Sequence, residues 1–171
     1  LEIGACALLD EVQRHPAVEG RYPALAEAIR VLATVQVRNK ATVGGNLCNA
    51  SPCADTAPPL MAYGARMGIA GPAGRREAPL EDFITGPGQV ALEAGELIEK
   101  ITVPPPAADL RALFLKFSPR SKVDISAVSV AAALRLDGGV VRGLRIFLGT
   151  VAPKPMRAVV AEQELEGQAP D

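Results

Sequence analysis

Helical spacing of apolar residues dominates the first third of the chain. Residues 7–14 and, more strongly, residues 22–34 carry apolar stripes at intervals of three and four, and Pro23 suits the first turn of the second stripe. Residues 1–6 are predicted to form the end of a short strand. We therefore expect this part of the chain to be mostly helical.

From residue 66 onward the pattern changes to short strands and turns. Residues 66–70 and 75–80 flank the turn sequence Gly-Pro-Ala-Gly and predict a hairpin. One helical turn over residues 80–84 and a strand over residues 96–103 follow. The prolines at 104–106 then form a stiff spacer, which is typical of a boundary between two domains.

The last third is predicted to form a small antiparallel sheet that ends on a helix. Residues 112–117 and 125–136 predict two strands. The sequence Asp-Gly-Gly at 137–139 predicts a tight turn from the second strand into a third, over residues 140–151. An amphipathic helix is expected over residues 156–165.

Together these elements indicate an α/β (α+β) fold in two parts. Residues 1–106 form the first domain, and residues 107–171 form a smaller C-terminal domain with an antiparallel sheet and a helix. A chain of 171 residues is long enough to build both.

The composition excludes several classes of function. The net charge of −1 gives no basic excess for binding nucleic acid or an anionic membrane. The longest apolar runs are too short to span a membrane. Three cysteines do not make a disulfide framework, which indicates a reducing, cytoplasmic location.

The segment ATVGGNLCNASPCAD, residues 41–55, combines paired glycines with small polar residues and almost no bulk. We predict a loop in which Gly44 and Gly45 take positive φ and let an anion approach successive backbone N–H groups. Asp55 would cap a short helix that follows, and Arg38 would face either a diphosphate or solvent. The segment is neither a P-loop nor a dinucleotide fingerprint, so a plain glycine turn stays an alternative.

Neither a metal centre nor a catalytic group is predicted. Cys48 and Cys53 have the first spacing of a plant-type iron–sulfur ligand set, but Thr56 stands where the third cysteine is needed. The single histidine, His15, is distant in sequence. Because nucleophile and base are both missing, a cofactor-binding or electron-carrying role fits the sequence better than hydrolysis.

The glycine segment also carries a family resemblance. The run VQVRNKATVGGNLCNASPCADTAPPL, residues 35–60, closely resembles the FAD-binding subunit or domain of molybdenum hydroxylases, the xanthine dehydrogenase and carbon monoxide dehydrogenase group. This resemblance implies a flavoprotein with a two-part FAD-binding domain, a small C-terminal domain and FAD as the cofactor. Four further blocks resemble the family in the same order: PLEDFITGPG at 79–88, GELIEKITVP at 95–104, FLKFSPRSKVDISAVSVAAAL at 114–134 and LGTVAPKPMRA at 148–158.

Eight residues match cofactor-binding positions of the family. The resemblance implies that residues 42–46 contact the FAD diphosphate and its adjoining sugar. It also implies that Asp55 binds on the same side of the cofactor and that Ile98 touches the flavin or nucleotide. Lys116 would reach the flavin ring, where a cation near the pyrimidine end favours the anionic reduced form. From the residues alone, Lys116 would be an ordinary exposed strand lysine. The eight are Thr42, Val43, Gly44, Gly45, Asn46, Asp55, Ile98 and Lys116.

The resemblance also implies partners. In the family, electrons leave a molybdenum centre, pass through two 2Fe–2S clusters and reach FAD, which delivers them to NAD, a quinone or another acceptor. An iron–sulfur subunit and a molybdopterin subunit are therefore expected in a heterotrimer. A flavin reductase acting on cell-wall precursors would need a catalytic Ser or Glu in its own motifs, and we find none.

One departure from the family keeps an alternative open. The family has a second glycine loop of the type Ala-Gly-Gly-Thr upstream of the first strand, and this sequence contains no such loop. The alternative function is a structural subunit-docking module that no longer binds FAD on its own.

Overall fold

The computed structural model describes residues 1–120 and 124–170, so residues 121–123 of the fourth resembling block lie outside the described part. Helices and antiparallel sheets are mixed, which confirms the predicted α/β class. The helices are α1 Leu9–Arg14, α2 Pro16–Arg21, α3 Pro23–Arg30, α4 Val35–Arg38, α5 Val43–Cys48, α6 Ala57–Ala62, α7 Leu80–Phe83 and α8 Val159–Leu165. The strands are β1 Glu2–Gly4, β2 Arg66–Gly71, β3 Gly74–Pro79, β4 Ile84–Gly86, β5 Gln89–Val90, β6 Leu97–Thr102, β7 Arg111–Phe117, β8 Val128–Asp137, β9 Val140–Gly149 and β10 Met156–Arg157.

The first sheet has the strand order β1-β6-β2-β3 and is antiparallel throughout. The predicted hairpin is confirmed as β2 and β3, with Ile69 opposite Arg76. Ile101 on β6 is fully buried and lies opposite Met67 on one side and Ile3 on the other. The sheet therefore contributes one apolar face to the core of the first 106 residues.

The helices close the other side of this core. Leu25 and Ile29 on α3 are fully buried, as the apolar stripe predicts. The rings of Tyr22 and Tyr63 meet edge to face at 5.2 Å, and the Tyr22 hydroxyl donates to the Pro104 carbonyl at 3.1 Å. This contact anchors the start of the proline run to the N-terminal end of α3.

The second sheet has the strand order β10-β9-β8-β7. Phe114, Ala131 and Phe147 are buried on the face that packs against α3 and α6. The opposite face is also apolar, with Leu115 and Phe117 more than half exposed on β7. Helix α3 therefore packs against α1 and α2 on one side and against β7 on the other.

Several local predictions are wrong, each for an identifiable reason. Helices α2 and α4 were missed because they are too short to show a repeat. The last helix begins at Val159 rather than at residue 156, because Met156 and Arg157 pair with β9. The predicted strand at 125–136 begins three residues later, at Val128. Among the described residues, no helix is both long and apolar enough to cross a membrane.

Candidate functional site

The glycine segment forms a helix rather than the predicted loop. Helix α5 begins after Thr42, whose Oγ1 accepts a hydrogen bond from the Gly45 N–H at 3.0 Å. Neither Gly44 nor Gly45 has a positive φ, so the expected left-handed conformation is also wrong. The sequence folds this way because Val43 and Leu47 are fully buried beneath the helix.

The first backbone N–H groups of α5 already have partners within the protein. The Val43 N–H donates to the Ala7 carbonyl and the Gly44 N–H donates to the Ala5 carbonyl, each at 3.1 Å. The Gly45 N–H is bonded to Thr42 as described above. The backbone donors of Gly44 and Gly45, which were expected to hold a diphosphate, are therefore used in folding.

The two glycines serve different purposes. A Cβ on Gly44 would lie 2.5 Å from the Ala5 carbonyl oxygen, so this glycine is needed for close packing of α5 against the chain after β1. A Cβ on Gly45 would approach only the Thr42 Oγ1, at 2.8 Å. Gly45 is thus the glycine that leaves room for something outside the protein.

A buried polar contact joins α5 to the start of α6. The Thr56 hydroxyl donates to the Asn46 Oδ1 at 2.6 Å, which leaves the Asn46 amide N–H₂ to donate elsewhere. Thr56, not Asp55, occupies the N-cap position of α6, so the predicted capping role of Asp55 is wrong. The Asp55 carboxylate points instead to the second sheet.

Asp55, Lys116 and Ser126 form a buried polar cluster. Lys116 Nζ donates to Asp55 Oδ2 at 2.7 Å, and the Ser126 hydroxyl donates to Asp55 Oδ1 at 2.6 Å. Lys116 Nζ also donates to the Val31 carbonyl at 3.2 Å, just beyond α3. The Lys116 and Asp55 side chains are each 5% exposed. The fold therefore joins two residues that were predicted separately, one from the block at 35–60 and one from the block at 114–134, in a single ion pair.

A second cation lies at the same end of α3. Arg38 is 9% exposed and donates to the Leu32 and Ala33 carbonyls at 2.9 and 3.0 Å. Both Arg38 and Lys116 thus neutralise carbonyls at a helix C-terminus, where partial negative charge accumulates. Arg38 does not face solvent, and its buried Nε has no hydrogen-bond partner among the described residues, so its contact with a diphosphate stays a prediction.

A groove of about 470 Å³ lies between α3 and β7, beside this cluster. Its apolar wall includes Phe114 and Phe117, and the ion pair of Arg30 with Glu27 stands on α3. Lys116 has three N–H donors, of which two are used by Asp55 and Val31. Within residues 1–120 and 124–170 the third has no partner, so it is available to an acceptor in the groove.

Ile98 is the predicted residue that remains, and Asp124 lies between β7 and β8, near enough to Lys116 for their charges to interact. Ile98 is 8% exposed on β6 and belongs to the hydrophobic core, so its contact with a flavin stays a prediction. Asp124 forms an ion pair with Arg120, whose hydrogen bond lowers the pKa of that carboxyl below its usual range. The Lys116 charge contributes to the same lowering of the Asp124 pKa, with a smaller share.

Sequence reasoning missed Ser126 and the Val31 carbonyl. Ser126 is 71 residues from Asp55 and lies just before β8, so no local spacing links the two. The Val31 carbonyl is a backbone group and carries no mark in the sequence at all. A buried serine opposite a buried ion pair becomes visible only after the sheet has been placed against α3.

Family models match nearly the whole chain. Residues 1–106 match the FAD binding domain in molybdopterin dehydrogenase, and residues 114–171 match the carbon monoxide dehydrogenase flavoprotein C-terminal domain. The xanthine dehydrogenase FAD-binding subunit of Escherichia coli O157:H7 is 38% identical over 164 residues, which are 95% of this chain and 56% of that protein. The carbon monoxide dehydrogenase medium chain of Hydrogenophaga pseudoflava is 33% identical over 98% of this chain and 58% of its own length.

Solved structures agree with these matches. Carbon monoxide dehydrogenase from Hydrogenophaga pseudoflava superimposes with a TM-score of 0.95 at 35% identity, covering 99% of this chain and 59% of that one. Quinoline 2-oxidoreductase from Pseudomonas putida 86 superimposes with a TM-score of 0.93 at 33% identity, covering 100% of this chain and 59% of that one. The chain thus spans less than two thirds of the length of these relatives.

Proposed function

The chain belongs to the family of FAD-binding domains in molybdopterin dehydrogenases, and from this premise we propose that it is part of an oxidoreductase subunit that transfers electrons through FAD. The electrons come from 2Fe–2S clusters on a partner and leave to an external acceptor such as NAD or a quinone. The single observation that carries this proposal is the buried ion pair of Asp55 with Lys116 at the groove, in which one lysine N–H has no partner in the part of the chain that the structure describes.

The donor chemistry of the site fits FAD. The Asn46 amide and the Thr42 hydroxyl offer neutral donors at the diphosphate side, next to the open surface at Gly45. Lys116 offers a charged donor at the groove, and its bond to Asp55 keeps the lysine ammonium in place. The site therefore provides polar groups for two separate parts of a long dinucleotide.

When bound, FAD supplies the redox chemistry of the subunit. This chain contributes position and charge. Lys116 holds a fixed positive charge where negative charge would increase on reduction, and the burial of its side chain limits screening by water. Arg38 fixes the carbonyls that follow α3, so the groove wall that carries Val31 stays in place.

The finer parts of the proposal concern the whole assembly. We expect an iron–sulfur subunit and a molybdopterin subunit as partners, and residues 1–106 and 107–171 as two separate domains. A cytoplasmic location stays a prediction. The relatives named above are described as dehydrogenase subunits or chains, which supports a multi-subunit oxidoreductase.

The proposal is tested by titrating the full-length polypeptide with FAD and following the quenching of flavin fluorescence. Replacement Gly45→Gln should weaken FAD binding at least tenfold, because a side chain there would extend from the open surface of α5. The matched control is Gly20→Gln on α2, another helical glycine whose added Cβ would meet nothing within 4 Å. Thermal unfolding checks that both variants keep their fold.

The docking alternative predicts a different result. It is favoured by one observation, namely that the backbone donors of α5 are already bonded within the protein. If the full-length polypeptide binds no FAD, alone or with its partner subunits, the flavin assignment fails and the docking module becomes the better function. If Gly45→Gln and Gly20→Gln bind FAD equally well, the proposed position of the site is wrong.

A further inference from the structure

Ser126 is a buried hydroxyl with an unusual partner. It is 2% exposed, and its Oγ lies 2.6 Å from Asp55 Oδ1, a short distance that is typical of a strong hydrogen bond to an ionised carboxylate. It precedes β8 and belongs to the part of the chain that matches the C-terminal family model. None of the resembling motifs assigns this residue a role.

The two oxygens of Asp55 are held by different residues. Oδ1 accepts from Ser126 and Oδ2 accepts from Lys116, so the carboxylate cannot rotate without losing one of these bonds. On the other side, neighbouring Thr56 is tied to Asn46. The Asp55 carboxylate and the backbone next to it are therefore both held in place. Asp55 and the Val31 carbonyl together hold the Lys116 ammonium.

We propose that Ser126 is a positioning residue that acts through Asp55 to set the reduction potential of the flavin. The hydroxyl shares the negative charge of the carboxylate and directs the other carboxylate oxygen to Lys116. The Lys116 ammonium, which has no third partner among residues 1–120 and 124–170, is then held in one position at the groove between α3 and β7. This inference rests on the proposed function, since it concerns the charge that the chain presents to bound FAD.

The sign of the effect follows from the charges. Without the Ser126 hydroxyl, the Asp55 carboxylate keeps more of its negative charge and compensates more of the Lys116 charge. A weaker positive field stabilises the added electrons on a nearby flavin less. Loss of the hydroxyl should therefore make the flavin potential more negative without removing the cofactor.

The test is the replacement Ser126→Ala in the full-length, FAD-loaded subunit. We expect a more negative midpoint potential, and about two- to fivefold weaker binding of sulfite, a probe that reports how well the site accepts negative charge on the flavin. The matched control is Ser129→Ala, which removes another 2% exposed serine hydroxyl, directly opposite Lys116 on β8, without a bond to Asp55. Its potential should stay at the unsubstituted value.

A second variant covers the case in which Ser126→Ala does not fold. Ser126→Cys keeps the side-chain shape with a weaker donor, so its potential should shift in the same direction by a smaller amount. An unchanged potential in a variant that still holds FAD would overturn the role of Ser126 and leave the proposed function intact. Failure of the unsubstituted subunit to take up FAD would overturn both.

Discussion

The sequence and the structure give opposite answers on whether α5 or the cluster around Asp55 offers donors to a ligand. In the sequence, Gly44 and Gly45 suggest a ready anion site, whereas Asp55 and Lys116 are two ordinary charged residues 61 positions apart. In the structure, the first N–H groups of α5 are used within the fold, whereas one Lys116 donor has no partner among the described residues.

This difference shows that a binding motif can owe its residues to packing. Gly44 has no side chain because the Ala5 carbonyl occupies that space, and this requirement exists with or without a ligand. The buried ion pair, in contrast, has no packing reason to contain charges, because apolar residues of similar volume are often at least as stable. Charges kept in such a place indicate a function.

The largest effect is expected from breaking the buried pair. Lys116→Met should lower the free energy of unfolding by about 3–5 kcal/mol, because it leaves the Asp55 carboxylate buried without its cation, bonded among the described residues to Ser126 alone. Urea unfolding followed by circular dichroism measures the change. The double replacement Asp55→Asn with Lys116→Met should recover part of the loss, since it removes the uncompensated charge.

An exposed pair provides the control for this experiment. Lys100 bonds to Glu2 on the first sheet, where the two side chains are 38% and 65% exposed, against 5% for each side chain of the buried pair. Lys100→Met should therefore leave the urea midpoint almost unchanged. An equal loss for Lys116→Met and Lys100→Met would mean that burial of the cluster does not distinguish it from the surface.

The second largest effect should separate the two glycines. Gly44→Ala is expected to lower the free energy of unfolding by about 1–3 kcal/mol, because its Cβ would meet a backbone oxygen that cannot move away easily. Gly45→Ala should be nearly neutral, since a gain of about 1 kcal/mol in helix propensity offsets its contact with Thr42. Thermal unfolding of both variants measures the difference, and a smaller loss at Gly44 than at Gly45 would contradict the packing role.

These glycines also show where prediction from sequence ends. Helix α3 and the hairpin of β2 and β3 were predicted because their patterns are local and regular. Helix α5 was not, because two glycines and an asparagine are poor helix formers, and what overrides them is burial of Leu47 beneath the helix. Local propensity contains no information about such a contact.

The candidate site follows the same rule. Asp55 and Lys116 were assigned to the cofactor through family resemblance, yet their mutual ion pair could not be expected from residues so far apart in sequence. The bond of Ser126 to Asp55 lies across 71 residues and also depends on how α3 meets β7. What the sequence lacks is the placement of the second sheet, which sets every contact of this cluster.

A smaller effect is expected at the N-cap of α5. Thr42→Ala removes the acceptor of the Gly45 N–H and should cost about 1 kcal/mol of unfolding free energy. Thr34→Ala is a matched control at the start of α4, where the corresponding bond to Val37 is longer, at 3.4 Å, and a smaller loss is expected. Equal losses in urea unfolding would show that Thr42 holds α5 no more firmly than an ordinary cap.

The smallest effect concerns the ion pair of Glu96 with Arg76, whose side chains are 11% and 40% exposed, and it is seen as a change in the pH dependence of stability. Hydrogen bonds from Arg76 and from the Glu93 N–H lower the pKa of Glu96 to about 2. Since the folded pKa is depressed, its stabilisation is present above the unfolded pKa of about 4.5 and is lost as the pH falls toward about 2. Glu96→Gln should therefore flatten the fall in stability over this pH range, and added salt should reduce the difference because the Arg76 side chain of the pair is 40% exposed. Urea unfolding at several pH values measures both effects, and a pH profile unchanged by Glu96→Gln would show that this pair contributes nothing to acid sensitivity.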